Sequence, residues 1–84
     1  MADVAVNVKI YLENPEKADE VLNKIKEKTN LKDSKIEDVG FGIKIIRGLF
    51  IIPDSEGGTD KLEEQLKSIE GISNIEVESA TRLS

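Results

Sequence analysis

The sequence predicts an α+β domain whose elements follow the order β-α-β-β-α-β. Three observations support this fold class. One segment alternates strictly between apolar and polar residues, another is a continuous apolar run bounded by glycine and proline, and two more carry apolar residues at helical spacing. The chain has 84 residues, which is enough for one domain, and we assign residues 1–84 to it.

The first strand and the first helix are indicated by clear local signals. Asn14 and Pro15 predict the start of the helix, with Asn14 as its N-cap and Pro15 at its first position. We expect the helix to end near Asn30, because asparagine tolerates the left-handed conformation of many helix ends. Apolar residues at every second position predict the preceding strand as half-buried: Val4, Val6, Val8, Ile10 and Leu12.

The middle of the chain predicts two strands joined near Gly42. Residues 32–35 are interpreted as a polar turn, and a weaker second strand follows, interrupted by Gly40 and Gly42. Residues 43–53 form the most apolar run and predict an interior strand, which the proline at its end terminates. Gly48 lies within this run, where it either weakens packing or leaves room for a close backbone approach.

A second helix and a fourth strand complete the predicted domain. Residues 54–58 predict a turn, and either Thr59 or Asp60 is expected to cap the helix, with Glu63 completing a capping box if the cap is Asp60. We expect Gly71 to cap its C-terminus. The apolar residues of the helix and of the strand after it are Leu62, Leu66 and Ile69, and Ile72, Ile75 and Val77.

Connection rules assemble these elements into a ferredoxin-like fold. Two right-handed crossovers place both helices on one face of a four-stranded antiparallel sheet. The first and third strands are the longest and most apolar, so we expect them at the centre of the sheet. No second layer remains to cover the other sheet face.

The composition excludes several classes of site. The chain has no cysteine and no histidine, so disulfides, thiolate metal sites and the commonest general base are absent. We therefore expect no catalytic residues, no metal site and no cofactor. A net charge of -5 disfavours direct binding to nucleic acid or to an anionic membrane. No run reaches the ~18 apolar residues of a membrane span, and no signal peptide is evident, so we expect a cytoplasmic protein.

Three local motifs are open to a structural and a functional interpretation. Gly40-Phe41-Gly42 is either a bulge that turns Phe41 into the core or a wedge presented to a partner. Arg47-Gly48-Leu49-Phe50-Ile51 faintly resembles part of an RNA-binding strand, but the aromatic after the glycine is missing. Glu56-Gly57-Gly58-Thr59 is either a phosphate-binding turn or, as its acidic flanks favour, a tight turn before a helix.

Beyond these motifs, nearly the whole chain resembles the exchange domain of the elongation factor 1-beta family, especially its short archaeal form. The stretches that carry the resemblance are Gly40-Phe41-Gly42-Ile43-Lys44, Pro53-Asp54, Glu56-Gly57-Gly58-Thr59-Asp60, Leu62-Glu63-Glu64-Gln65, Ile69-Glu70-Gly71-Ile72, Ile75-Glu76-Val77 and Thr81-Arg82-Leu83. The resemblance implies a ferredoxin-like fold and one partner, the GTPase elongation factor 1-alpha. It also implies a non-enzymatic function, which is to speed the loss of GDP so that GTP can enter.

The resemblance also implies roles for individual residues. Phe41, between Gly40 and Gly42, is expected to pack against the GTPase as a wedge. Arg82, followed by Leu83, is expected to reach the magnesium region of the nucleotide site. Eukaryotic relatives have lysine near this position, so the planar arginine acts either by competing with the ion or by pairing with an acid of the magnesium site. We expect the free domain to be a monomer.

Two other functions remain open from the residues themselves. One is a small-molecule-binding regulatory domain of the same fold, which would dimerise through its open sheet or its helices. The other is an RNA-binding module that uses the open sheet face.

Overall fold

The computed structural model describes residues 3–54 and 58–83, which form a four-stranded antiparallel sheet and two α-helices. The strand order is β2-β3-β1-β4, so the first and third strands are central, as predicted. A 3-10 turn, Pro15–Lys17, precedes the first helix. The elements are β1 Asp3–Leu12, α1 Ala18–Lys28, β2 Leu31–Gly40, β3 Ile43–Pro53, α2 Gly58–Lys67 and β4 Ile72–Arg82.

One face of the sheet packs on both helices to form the core. The alternation predicted for β1 is confirmed, because Val6, Val8 and Ile10 are buried and the residues between them are not. In the β1–β3 register, Val6 lies opposite Phe50. Helix residues pack against these strands, which confirms the ferredoxin-like arrangement. The buried cluster contains Val6, Val8, Ile10, Val21, Ile25, Ile46, Phe50, Leu62, Leu66, Ile69 and Ile72.

Side-chain hydrogen bonds hold the 3-10 turn that precedes α1 and the end of α1 itself. The Asn14 side chain accepts a hydrogen bond from the backbone N–H of Glu16 at 3.0 Å, which confirms Asn14 as a cap, here of the 3-10 turn. The expected left-handed asparagine at the other end is wrong. Thr29 follows the helix in an extended conformation, and its hydroxyl donates to the Ile25 carbonyl. The Asn30 side chain instead donates to the Ile51 carbonyl on β3.

The second strand is longer than predicted, and the polar turn assigned to residues 32–35 is wrong. These residues belong to β2, which pairs with β3 from Leu31 to Gly40. β2 is an edge strand and leaves much of its surface exposed, so its charged residues are compatible with strand pairing. β2 is therefore a strand that lacks the apolar alternation by which β1 was identified.

The boundaries of α2 also differ from the prediction. Thr59 and Asp60 lie inside the helix, so neither is its cap, and residues 55–57 of the predicted turn lie outside the described residues. The helix ends at Lys67, so Gly71 is not its C-cap either. The short segment between the end of α2 and the start of β4 buries Ile69 in the core. Gly71 adopts a positive φ of 102° just before β4. No helix in the part of the chain described is long and apolar enough to cross a membrane.

Gly48 makes room for the largest residue of the core. A Cβ atom at this position would lie 2.7 Å from Cε1 of Phe50, which is fully buried. Of the two expectations for Gly48, weakened packing or space for a close backbone approach, the second is right about the space and wrong about the group that fills it. The approaching group is an aromatic ring and not a backbone.

We predict that Gly48→Ala destabilises the domain by about 1–3 kcal/mol, because the added methyl group forces the Phe50 ring from its place. Urea unfolding at neutral pH measures the change. Asn74→Ala, on the exposed surface of β4, is the matched control and should shift the free energy of unfolding by less than about 0.5 kcal/mol. Equal stability of Gly48→Ala and the unmodified domain would contradict this account of the core.

Candidate partner-binding ends of the sheet

The hairpin between β2 and β3 has an unusual turn. Gly40 pairs with Ile43, so Phe41 and Gly42 form a two-residue loop. Their φ angles are 55° and 74°, the pattern of a type I′ turn, and Gly40 has a φ of 96°. Asparagine, aspartate or glycine normally occupies the first loop position, so an aromatic residue there is held in an unfavourable conformation.

Phe41 is fully exposed, with a relative accessibility of 103%. The interpretation that a bulge turns it into the core is therefore wrong. Val39 and Ile43 flank it and are each about half exposed, and we call these three residues the apolar tip. The backbone N–H of Gly40 donates to the Asp38 carboxylate at 2.9 Å, which holds the base of the turn. A strained, exposed and apolar hairpin end is the kind of feature that binds a partner.

The opposite end of the sheet carries the predicted basic residue. Arg82 is the last residue of β4, and its guanidinium forms an ion pair with Asp54, which follows β3. The Arg82 side chain is 66% exposed. Leu83 is about half exposed, and its backbone N–H donates to the Asp3 carbonyl at 2.8 Å. We call Asp54, Arg82 and Leu83 the basic end.

The structure separates the apolar tip from the basic end. In the register of β1, Val4 lies opposite Arg82, whereas Tyr11 lies opposite Ile45 next to the hairpin. The stretch of β1 between these two positions spans roughly 24 Å, and the hairpin extends beyond it. The longest dimension of the domain is 41 Å. The two groups of predicted site residues therefore occupy opposite ends of an elongated molecule.

Charged side chains cover the sheet face that the helices leave open. Arg47 on β3 donates from Nε to Glu37 on β2 at 2.9 Å, and from Nη1 to Glu78 on β4. Its side chain thus reaches across the central strand β1. On the same face, the Tyr11 hydroxyl donates to Glu76 at 3.2 Å. Paired polar groups therefore cover much of the open face, which also carries the buried Ile45 of β3.

The hydrogen bond between Arg47 and Glu37 shifts the pKa of both groups. The hydrogen bond from Arg47 lowers the pKa of the Glu37 carboxyl below its ordinary value, and the charges of Arg47 and Lys35 lower it further. The same hydrogen bond raises the pKa of Arg47. Sequence reasoning missed this network. The available signal was Arg47 itself, a charged residue at the centre of the most apolar run of the chain.

Two residues of the possible RNA-binding strand, Phe50 and Arg47, are engaged elsewhere. Phe50 is fully buried on the helix side of the sheet and cannot stack on a base. Arg47 is engaged by two carboxylates. Glu56 and Gly57 of the possible phosphate-binding turn lie outside the described residues. Within residues 3–54 and 58–83, no three acidic side chains converge in a way that could hold a metal ion.

Comparison with known proteins assigns the chain to a family. Residues 5–83 match the family model of the EF-1 guanine nucleotide exchange domain. The chain belongs to this family. It is 39% identical to elongation factor 1-beta of Methanothermobacter thermautotrophicus, over 99% of this chain and 99% of that protein. It is 42% identical to elongation factor 1-beta of Hyperthermus butylicus, over 100% of this chain and 98% of that protein. The predicted resemblance is confirmed.

Comparison with a solved structure also supports the fold of this exchange-domain family member. The chain is similar to the ACT domain from GTP pyrophosphokinase of Chlorobium tepidum, with a TM-score of 0.60 over 96% of this chain and 99% of that one. The two sequences are 17% identical, so the likeness concerns the fold alone.

We predict that the Glu37–Arg47 pair makes stability depend on pH. Because the folded-state pKa of Glu37 is lowered, its contribution is present above the ordinary carboxyl range and is lost as the pH falls through the folded-state value. Glu37→Gln should therefore be less stable than the unmodified domain at pH 7, and the difference should shrink toward pH 3. Urea midpoints across this range measure it. Glu64→Gln, on the exposed face of α2, is the control for the loss of one surface charge. A gap that stays constant with pH for Glu37→Gln would contradict the assignment.

Proposed function

We propose that this domain promotes exchange of GDP for GTP on the translational GTPase elongation factor 1-alpha. The observation that carries the proposal is the family match across residues 5–83. Residues 1–84 would act as one monomeric exchange domain in the cytoplasm, without covalent chemistry. Its work would consist of binding the GTPase in a form that holds nucleotide weakly.

The apolar tip supplies the first contact in this proposal. Phe41 stands fully exposed on a turn fixed by three consecutive residues with positive φ. Because the turn is already formed, little conformational entropy is lost when the ring enters a pocket of the GTPase. Val39 and Ile43 extend the apolar contact around the ring. The strain at Phe41 is consistent with a residue kept for binding and not for stability.

The basic end supplies the second contact. Magnesium bridges the phosphates of a bound nucleotide to the GTPase, so loss of the ion weakens GDP binding. In our proposal, Arg82 approaches this region and either displaces the ion electrostatically or pairs with an acid that helps to hold it. Leu83 packs beside it. Binding of the domain and binding of GDP then oppose each other by the same factor in both directions.

The distance between the two ends sets the minimum length of the GTPase surface that contacts both. A surface that meets both the apolar tip and the basic end has to extend along much of the 41 Å length of the domain. Anchoring at the tip would raise the local concentration of Arg82 at the nucleotide site. In this arrangement the tip contributes mainly affinity, and Arg82 contributes mainly to the rate of release.

We predict that Arg82→Ala slows the stimulated release of fluorescent GDP from elongation factor 1-alpha by about tenfold or more, because a charge-assisted contact is lost. Arg82→Lys keeps the charge but not the planar fork, so it should retain more activity than Arg82→Ala and less than the unmodified domain. Thr81→Ala, on the neighbouring exposed position, is the control for local disturbance. A release rate with Arg82→Ala equal to that of the unmodified domain would remove Arg82 from the mechanism.

We predict that Phe41→Ala weakens binding to the nucleotide-free GTPase by about 1.5–3 kcal/mol, the value of burying a large apolar side chain. The domain should stay folded, since the ring makes no contribution to the core. Titration calorimetry measures the affinity, and thermal unfolding checks the fold. Phe41→Leu is the matched control and should bind more tightly than Phe41→Ala. Unchanged affinity with Phe41→Ala would show that the tip is not a contact.

A further inference from the structure

We propose that Asp54 is a positioning residue that holds Arg82 ready for its partner. This inference rests on the proposed function, because it assigns Asp54 a role only through Arg82. Asp54 would order the guanidinium before the GTPase arrives and remain paired with it afterwards. It would thereby increase the rate of nucleotide release without contacting the nucleotide site itself.

The topology brings these two residues together from distant parts of the chain. Arg82 ends β4 and Asp54 follows β3, and these strands lie on either side of β1. Val4 of β1 lies opposite both Arg82 and Ile52 in the two registers. The Arg82 side chain therefore crosses the beginning of β1 to reach the Asp54 carboxylate.

The backbone at this end of β4 is fixed, whereas the side chain depends on Asp54. The hydrogen bond from the Leu83 N–H to the Asp3 carbonyl anchors the strand next to Arg82. The Arg82 side chain is 66% exposed and has many rotamers, so an unpaired guanidinium would lose considerable entropy on binding. The carboxylate of Asp54 limits these rotamers in the free domain, and pre-ordering of this kind lowers the cost of association.

The geometry of the pair leaves Arg82 able to act on a second acceptor. The Asp54 carboxylate contacts the guanidinium at Nη2. A guanidinium has five N–H donors in a rigid fork, so Nε and Nη1 can donate to another carboxylate or a phosphate while the first contact persists. Lysine, as a compact point charge, is less suited to this bridging arrangement. The pairing with Asp54 thus gives a reason for arginine at this position.

The ion pair is exposed enough to be removed without unfolding the domain. Exposed pairs contribute little to folding free energy, so variants at Asp54 should remain folded. The same weakness sets the expected size of the effect. Loss of Asp54 should reduce the second-order rate constant for stimulated GDP release by about two- to fivefold, the range typical of an exposed pair.

A double-mutant cycle tests the inference. The rate constant for release of fluorescent GDP is measured with the unmodified domain, Asp54→Ala, Arg82→Ala and the double variant. We expect Asp54→Ala to reduce the rate in the unmodified background and to have no further effect in the Arg82→Ala background. Asp54→Glu, which keeps the charge, should recover part of the loss. Asp33→Ala changes the net charge equally at an exposed position of β2 and should leave the rate unchanged.

The opposing outcomes are distinct. An equal loss in both backgrounds would mean that Asp54 acts independently of Arg82, and faster release with Asp54→Ala would mean that Asp54 restrains Arg82; either result overturns the inference while the proposed function stands. Absence of any acceleration by the unmodified domain overturns both. A second readout needs no GTPase: 15N relaxation of the Arg82 Nε–H group should show greater mobility in Asp54→Ala, and unchanged mobility would also overturn the inference.

Discussion

The pairing of β1 with β3 on one side and β4 on the other is the constraint on which the rest of the structure depends. Because side chains alternate along a strand, this register sends Val6, Val8 and Ile10 toward the helices and Asn7 and Lys9 to the open face. A slip of one residue would reverse both faces and bury charge. The same register sets the length of the sheet and places the hairpin at one end and Arg82 at the other.

This arrangement keeps stability and binding in different parts of the molecule. The core lies between the helices and one sheet face, and Gly48 allows Phe50 to fill it. The open face is satisfied by paired charges around Arg47. The residues proposed to bind the GTPase lie outside both regions, at positions where a side chain can change at small cost to the fold. A small domain buries a limited fraction of its surface on folding, so the exposed ends of its sheet are natural places for a binding function.

The sequence predicts the fold well wherever a segment has one strong signal. The alternation in β1 and the apolar run of β3 identify the central strands, since both are governed by burial. Residues 32–35 of β2 were missed because an edge strand is stabilised by backbone pairing and tolerates polar side chains. The end of α1 was placed correctly for the wrong reason, because Asn30 makes a tertiary hydrogen bond that no local pattern contains.

The candidate site could be predicted only in part, because it also depends on tertiary contacts that no local pattern contains. The Gly40-Phe41-Gly42 motif is compatible with an inward or an outward ring, and only the turn geometry decides between them. Arg82 was named through family resemblance, but its partner Asp54 lies far away in sequence and becomes a neighbour only through the order of the strands. Pairings of this kind depend on register, which a single sequence does not specify.

In our proposal, one GTPase contacts both ends of the sheet at once. Hydrogen–deuterium exchange of the domain, alone and bound to nucleotide-free elongation factor 1-alpha, tests it most directly. We expect slower exchange in the peptides containing the apolar tip and in those containing Arg82 and Leu83, with little change on the exposed surface of α1. Protection confined to the open sheet face or to the helices would contradict it.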